Sequence, residues 1–230
     1  MAHPPLNIFE RDGGPAEGTL RYGDHPDQLI DLFGMEHGGP LLYLLHGGFW
    51  RPEYDRSHLS HLCLALAATG RRVASVEYRR TPGHPDDSMS DVLDALDAMD
   101  PTGATVIGHS AGGHLALWCA SAATGIARVV ALAPVSDLQR AESFDLGTGA
   151  VRDFLGQSAV QRPDLDPAQL TPACDVVVIS GGRDDRVPVE FARQYATAKG
   201  VRLIELAGAD HFDLIDPLSP AFATVLGALT

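Results

Sequence analysis

One stretch limits what this chain can fold into more than any other. Residues 105–114 read Thr-Val-Ile-Gly-His-Ser-Ala-Gly-Gly-His. Residues 104–107 are short and apolar, as a buried strand requires, and 113–123 carry Leu115, Trp118, Cys119 and Ala122 at helical spacing. Between strand and helix, Gly108-x-Ser110-x-Gly112 places a serine at the apex of a tight turn. A residue held on such a turn has a strained backbone, and its neighbours two positions away pass close to the crossing chain. A β-carbon at either of those positions would collide, so both are glycine. The helix that follows directs free N–H groups and the positive end of its dipole at the serine oxygen, which favours negative charge there. By itself the stretch also reads as an ordinary strand-to-helix turn.

The rest of the chain repeats the strand–helix alternation. Residues 1–18 are polar and rich in Pro and Gly and read as an arm or loop. Residues 19–22 and 28–33 suit two short antiparallel strands joined by the turn Gly23-Asp24-His25-Pro26. Leu41–Leu45 is a continuous apolar run, expected of a strand covered on both faces. A helix over 57–69 stops at Gly70, and 73–78 is the next strand. Residues 89–99 form an amphipathic helix closed by Asp100-Pro101. Residues 128–133, 175–180 and 201–206 read as further strands, with helices over 189–199 and 220–229.

Residues 137–173 break this rhythm with Gly147, Gly149, Gly156, Pro163, Pro167 and Pro172, and hold only short helical pieces such as Ala150–Leu155. They read as a small cap or lid insertion. The expectation is therefore one α/β domain over 1–230, a mostly parallel central sheet with helices on both faces.

The formal net charge of −13 gives an acidic surface that repels phosphate backbones and anionic membranes, and no Lys/Arg cluster offsets it. Neither nucleic acid nor membrane is expected as a partner, and the sequence leaves the oligomeric state open. Cys63, Cys119 and Cys174 cannot all pair and lack the spacing of a metal site, so buried free thiols are expected. No apolar leader or membrane-length run is present, and a cytoplasmic location is expected. Neither a dinucleotide fingerprint nor a phosphate loop occurs, and no metal or other cofactor is expected.

A serine hydroxyl is a poor nucleophile at neutral pH, so it needs a base, and the base needs an orienting acid. Gly181-Gly182-Arg183-Asp184-Asp185-Arg186-Val187-Pro188 follows the strand 175–180 directly. Asp184 is the candidate acid, with Asp185 its rival, readable as a solvated charge beside Arg186. Among ten histidines, His211 stands out, because Ala209-Asp210-His211-Phe212 occupies the loop after the last strand. Ser, Asp and His then occur in that order along the chain, each just after a strand. The loop His46-Gly47-Gly48-Phe49-Trp50 can aim backbone N–H groups at an oxyanion, since glycine permits the turn. Gly48 or Phe49, with Ala111 just past the serine, are the expected donors. His46 is expected to bond loop backbone. Phe49 and Trp50 are candidates for an apolar substrate pocket or for core, and His109 is a second pocket candidate. Glu77-Tyr78-Arg79-Arg80 reads as a structural hydrogen-bonding corner.

HGGFW, GHSAGGHLALW, GGRDDRVP and ADHF, in that order, resemble the α/β-hydrolase superfamily. The likeness is to its esterase branch with HGG-type oxyanion loops, and within that branch to the kynurenine formamidase (arylformamidase) type. It spans most of residues 19–229. The loop departs from the HGGG of hormone-sensitive-lipase-like esterases. The resemblance implies Ser110 as nucleophile, Asp184 as acid, His211 as base, and no metal or organic cofactor. The implied activity is cleavage of a small carboxylic ester or (form)amide through an acyl-enzyme. A peptidase, or a binding protein on the same fold that has lost catalysis, are the alternatives. Such binders usually lose a member of the triad, whereas candidates for all three are present here.

Overall fold

The computed structural model describes residues 8–11 and 13–230. Of the arm expected over 1–18, residues 1–7 and 12 lie outside the described residues. The remainder includes a short 3-10 turn, Ile8–Glu10, ahead of the first strand.

Eight strands form one sheet. They are β1 (Gly18–Arg21), β2 (Leu29–Phe33), β3 (Leu41–Leu45), β4 (Arg72–Val76), β5 (Thr105–His109), β6 (Arg128–Leu132), β7 (Asp175–Gly181) and β8 (Arg202–Leu206). Their spatial order is β1-β2-β4-β3-β5-β6-β7-β8. Pairings from β4 through β8 are parallel, and β2 is antiparallel to both β1 and β4. The alternation of strands and helices predicts this mostly parallel α/β sheet, and the motif resemblance predicts its α/β-hydrolase architecture.

Side chains of a strand alternate between its two faces, and here the alternation feeds two separate cores. Tyr43, Leu45, Val106 and Ala131 point to one side, and Leu42, Leu44, Ile107 and Val130 to the other. The first side is covered by α2 (Pro85–Asp97), α3 (Ala111–Ala122) and α6 (Glu190–Lys199). The second is covered by α1 (Ser60–Ala67) and α7 (Ala221–Gly227). β3 and β5 are buried at every position, which is why β3 is an unbroken apolar run rather than alternating and β5 carries Val106 and Ile107 side by side.

Several boundaries differ from expectation for local reasons. The helix expected over 57–69 opens with a 3-10 turn, Arg56–Leu59, capped by the Asp55 carboxylate, and only then becomes α1. α2 starts at Pro85 rather than at 89. Proline's missing N–H costs nothing in a first turn, and Asp86 and Asp87 favour the positive end of the helix dipole. The strand expected to reach Tyr78 ends at Val76, where Glu77 turns into a buried polar network.

Residues 137–173 hold α4 (Leu138–Ser143), α5 (Ala150–Leu155) and two 3-10 turns, Ala159–Gln161 and Pro167–Gln169. The segment is tied to α3: His114 Nε2–H donates to the Leu165 carbonyl at 2.9 Å and Trp118 Nε1–H to the Asp164 carbonyl at 3.2 Å. Further anchors include Arg51, which donates to the Gly147 carbonyl at 2.6 Å, and Lys199, which donates to the Ala168 carbonyl at 2.7 Å. Among the described residues no helix is long and apolar enough to cross a membrane, and all three cysteines are free.

Candidate active site

The carboxyl ends of β3, β5, β7 and β8 converge on one edge, the position where open parallel sheets place their ligands. Ser110 follows β5 directly with φ 58° and ψ −117°, a left-handed conformation that a residue with a β-carbon adopts only under constraint. Three backbone hydrogen bonds hold it. Its N–H donates to the Leu132 carbonyl at 2.9 Å, and its carbonyl accepts from His114 at 3.0 Å and Val135 at 3.3 Å. The flanking glycines are required by contact. A β-carbon on Gly108 would overlap the Gly112 carbonyl, and one on Gly112 would overlap the carbonyls of Leu45 and His46. The bend therefore allows β5, α3 and the end of β3 to pass within backbone contact.

Beside it runs the loop from β3. Gly48, Phe49 and Trp50 all have positive φ, at 112°, 54° and 55°. Gly48 packs on Tyr54, where a β-carbon would stand 2.7 Å from the ring's Cγ. Among the described residues, the N–H groups of Gly48, Phe49 and Ala111 donate no hydrogen bond. Buried or half-buried amides are almost always paired, and unpaired ones beside a serine are groups that can receive an oxygen anion.

The acid and base candidates meet across the sheet edge. Asp184 Oδ2 accepts a hydrogen bond from His211 Nδ1 at 2.7 Å, with the carboxylate fully buried. The other oxygen, Oδ1, accepts from the N–H groups of Arg186 and Val187, each at 2.8 Å. The carboxylate is thereby fixed in position and its charge is distributed over three donors. Asp185 instead is 84% exposed and lies 3.6 Å from Arg186. Asp210 accepts from the N–H groups of Phe212 and Asp213 at 3.0 and 3.1 Å, and Asp213 accepts from that of Asp210 at 2.8 Å. These two aspartates hold the His211 loop in shape and leave the ring to Asp184.

Ser110 and His211 line one cavity of about 170 Å³, together with Phe9, Gly48, Phe49, Tyr54, His58, His109, Arg186 and Phe212. Among the described residues Ser110 Oγ makes no hydrogen bond within the chain. Contacts between nucleophile and base are often long before substrate arrives and tighten around it. His109 supports the arrangement from below. Its Nε2–H donates to the His211 carbonyl at 3.0 Å, and the two rings lie 4.5 Å apart. Burial, with His211 close by, holds its pKa well below the ordinary histidine value.

Trp50 is a correction. The sequence offers it as a pocket residue or as core, and it does not line the serine's cavity. It is 3% exposed and stacked on Phe154 at 4.6 Å, edge-on to His114. The positive φ at Phe49 and Trp50 reverses the chain, sending Phe49 to the cavity and Trp50 to the core. Of residues 137–173, none lines this cavity, and Gly147 abuts the Phe49 ring from the side. Sequence reasoning did not identify Phe9, Tyr54, His58, Arg186 or Phe212 as cavity residues. Phe212 carried a signal, being next to His211; Phe9 carried none.

The corner at Glu77–Arg80 fixes the HGG loop. His46 Nδ1–H donates to the Gly47 carbonyl at 2.8 Å, and its Nε2 lies 3.0 Å from Glu77 Oε1 and 3.2 Å from Arg80 Nη1. Arg80 also binds Glu77 directly. Glu77 Oε2 accepts from the Arg56 N–H at 3.0 Å, and Tyr78 O–H donates to the His46 carbonyl at 2.7 Å. Burial, reinforced by Arg80, pushes the His46 pKa down to about 3. The ring is thus neutral, and Arg80 is the donor to Nε2.

Burial also lowers His58 to about 3 and His114 to about 4. In the unfolded chain these rings titrate near pH 6.5. Each takes up a proton on unfolding once the pH drops below that value, so their contribution is complete above about pH 6.5 and is lost as pH falls toward 3–4. The expected result is a urea midpoint that is flat between pH 8 and 7 and falls between pH 6.5 and 5. The slope should be about 1.4 kcal/mol per pH unit for each buried ring. A midpoint constant down to pH 5 would show that the rings are protonated in the folded protein.

A family model for the alpha/beta hydrolase fold matches residues 41–180, and the chain belongs to that family. No curated protein sequence matches it. Several solved structures are similar. Esterase B from Lactobacillus rhamnosis superposes with a TM-score of 0.75 at 20% identity, over 96% of this chain and 86% of that one. Esterase 2 from Thermogutta terrifontis, phosphoramylated by tabun, gives 0.73 at 19%, over 96% and 94%. A provisionally assigned thioesterase from a Silicibacter species gives 0.77 at 24%, over 92% and 84%. At these identities the likeness is one of fold.

Proposed function

We propose that this protein is a serine hydrolase of the carboxylesterase kind, cleaving a small ester or (form)amide through an acyl-enzyme. One observation carries the reading. Ser110 on its strained bend shares a cavity with His211, whose ring is held by the buried Asp184 carboxylate.

The chemistry follows from where the protons sit. His211 Nδ1–H donates to Asp184, which leaves the Nε2 lone pair free for the Ser110 proton. As Ser110 Oγ attacks the carbonyl carbon, that proton passes to Nε2 and the carbonyl π-electrons move to oxygen. The oxyanion is met by the amides of Ala111 and of Gly48 or Phe49. Collapse of the intermediate breaks the bond to the leaving group, which takes the proton from Nε2. Water then repeats the sequence: it gives a proton to His211, its oxygen attacks the acyl carbon, and Ser110 departs with the proton. Asp184 stabilises the imidazolium formed in each half without itself being protonated.

Aryl formamides are a second substrate class. The cavity walls are aromatic, with Phe9, Phe49, Tyr54 and Phe212, and the HGGFW loop and GHSAGGHL elbow resemble those of kynurenine formamidases. A small-molecule substrate suits the enclosed volume better than a peptide does. The three free thiols fit a reducing, cytoplasmic compartment.

The test is covalent. A fluorophosphonate probe is expected to add one equivalent to the folded protein, and the modified peptide should contain Ser110. A protein left unlabelled would be a ligand-binding relative rather than an enzyme. Turnover of N-formylkynurenine measured against p-nitrophenyl acetate then ranks the two substrate classes.

A further inference from the structure

Phe9 stands as a wall between two cavities. It lines the 170 Å³ space around Ser110 and also a neighbouring groove of about 520 Å³, and Tyr54 and His58 are the other residues common to both. Its ring is 5.1 Å from that of His58, 6.1 Å from Tyr54 and 5.3 Å edge-on to Phe212. The ring therefore joins the loop after β3 to the loop that carries His211, closing the gap between them.

Among the described residues, two contacts help to hold the segment that carries it. Arg11 forms a two-pronged ion pair with Asp216, at 2.7 and 2.5 Å, in the same loop region as His211. Gly13 runs flush against the start of α1, where a β-carbon would overlap Ser60 and the His61 amide. Phe9, 44% exposed, is thus placed from both sides at the mouth of the cavity.

We infer that Phe9 sets the substrate size at this site, limiting the enclosed half of the ester to a short acyl chain or a single small ring. The inference rests on the reading of Ser110 as nucleophile. The volume supports the limit, because an enclosed apolar space of about 150 Å³ holds one benzene. Behind Phe9 the groove offers Phe33, Pro15 and Ala16. Two carboxylates near them are already engaged, Asp31 with Arg56 at 2.7 Å and Asp55 with the Ser57 amide at 2.9 Å. Glu53 lines the groove as well, so a chain that passed the Phe9 position would find an apolar strip of Phe33, Pro15 and Ala16 bordered by polar side chains.

The experiment compares kcat/KM for p-nitrophenyl acetate, butyrate and octanoate in the unsubstituted protein, in Phe9→Ala and in Arg11→Ala. The unsubstituted protein is expected to favour acetate or butyrate over octanoate. In Phe9→Ala the octanoate-to-acetate ratio should rise by about tenfold or more, the scale on which methylene-sized pocket differences discriminate. Arg11→Ala removes the clip and leaves the wall residue in place, so it should move the ratio in the same direction. If Phe9→Ala does not fold, the Arg11→Ala ratio decides. An unchanged ratio in the folded variants overturns the role of Phe9 and leaves Ser110 untouched. Absence of ester turnover and of fluorophosphonate labelling in the unsubstituted protein overturns the nucleophile reading, and this inference with it.

Discussion

Replacing Ser110 with alanine is expected to lower kcat for p-nitrophenyl acetate by about 10⁴- to 10⁶-fold, the scale on which loss of a catalytic serine acts. The reason is local. Ser110 lines the cavity together with His211, Gly48 and Phe49, and the Ala111 amide follows it directly in the chain. Without the Ser110 hydroxyl, the cavity can still bind and polarise a carbonyl, so a residual rate above that in water is expected. Stability should change little. Alanine carries the same β-carbon at φ 58°, and the Ser110 hydroxyl makes no hydrogen bond within the described residues. A matching urea midpoint beside a collapsed rate would assign the loss to chemistry. Substantial retained turnover would remove Ser110 from the reaction.

Asp184→Asn should cost about 10⁴-fold in kcat with little loss of fold, and the cause is a misplaced proton. The carboxylate accepts three hydrogen bonds, two of them from backbone N–H groups. An asparagine keeps its oxygen on the Arg186 and Val187 amides and turns its NH₂ toward His211 Nδ1. That nitrogen must then accept, which drives the ring proton to Nε2, where it blocks transfer from Ser110. Asp185→Asn is the control. Its side chain is 84% exposed and, among the described residues, faces Arg186 at 3.6 Å, so the rate should stay near that of the unsubstituted protein. Collapse in Asp185→Asn with retention in Asp184→Asn would reverse the assignment of the acid.

Much of the frame was legible in the chain because its causes are local. The all-apolar Leu41–Leu45 marks a strand covered on both faces, and it is buried at each position. The glycines of the elbow are dictated by backbone clearance of less than a side chain, and the clearances at Gly108 and Gly112 bear this out. The spacing of 137–173, with its glycines and prolines, correctly signalled short helices, although not which surface they would cover.

Trp50 shows where such reading fails. Sequence adjacency to Phe49 gave it the same expectation, but a pair of positive φ values sends neighbouring rings to opposite sides. Composition cannot reveal such a reversal, because it depends on Tyr54 and Gly147 occupying the space on either side of the loop.

Sequence alone determined the strand–bend–helix unit, the order of Ser110, Asp184 and His211, and the family they indicate. The first follows from steric limits and periodicities within a few residues; the family follows from the resemblance of HGGFW, GHSAGGHLALW, GGRDDRVP and ADHF taken in that order. Tertiary structure decided the shape of the cavity. Phe9 and Phe212 are far apart in the chain, yet their rings meet at 5.3 Å over the same space. Contact of that kind is set by how distant segments pack on a common sheet, a property no local pattern encodes.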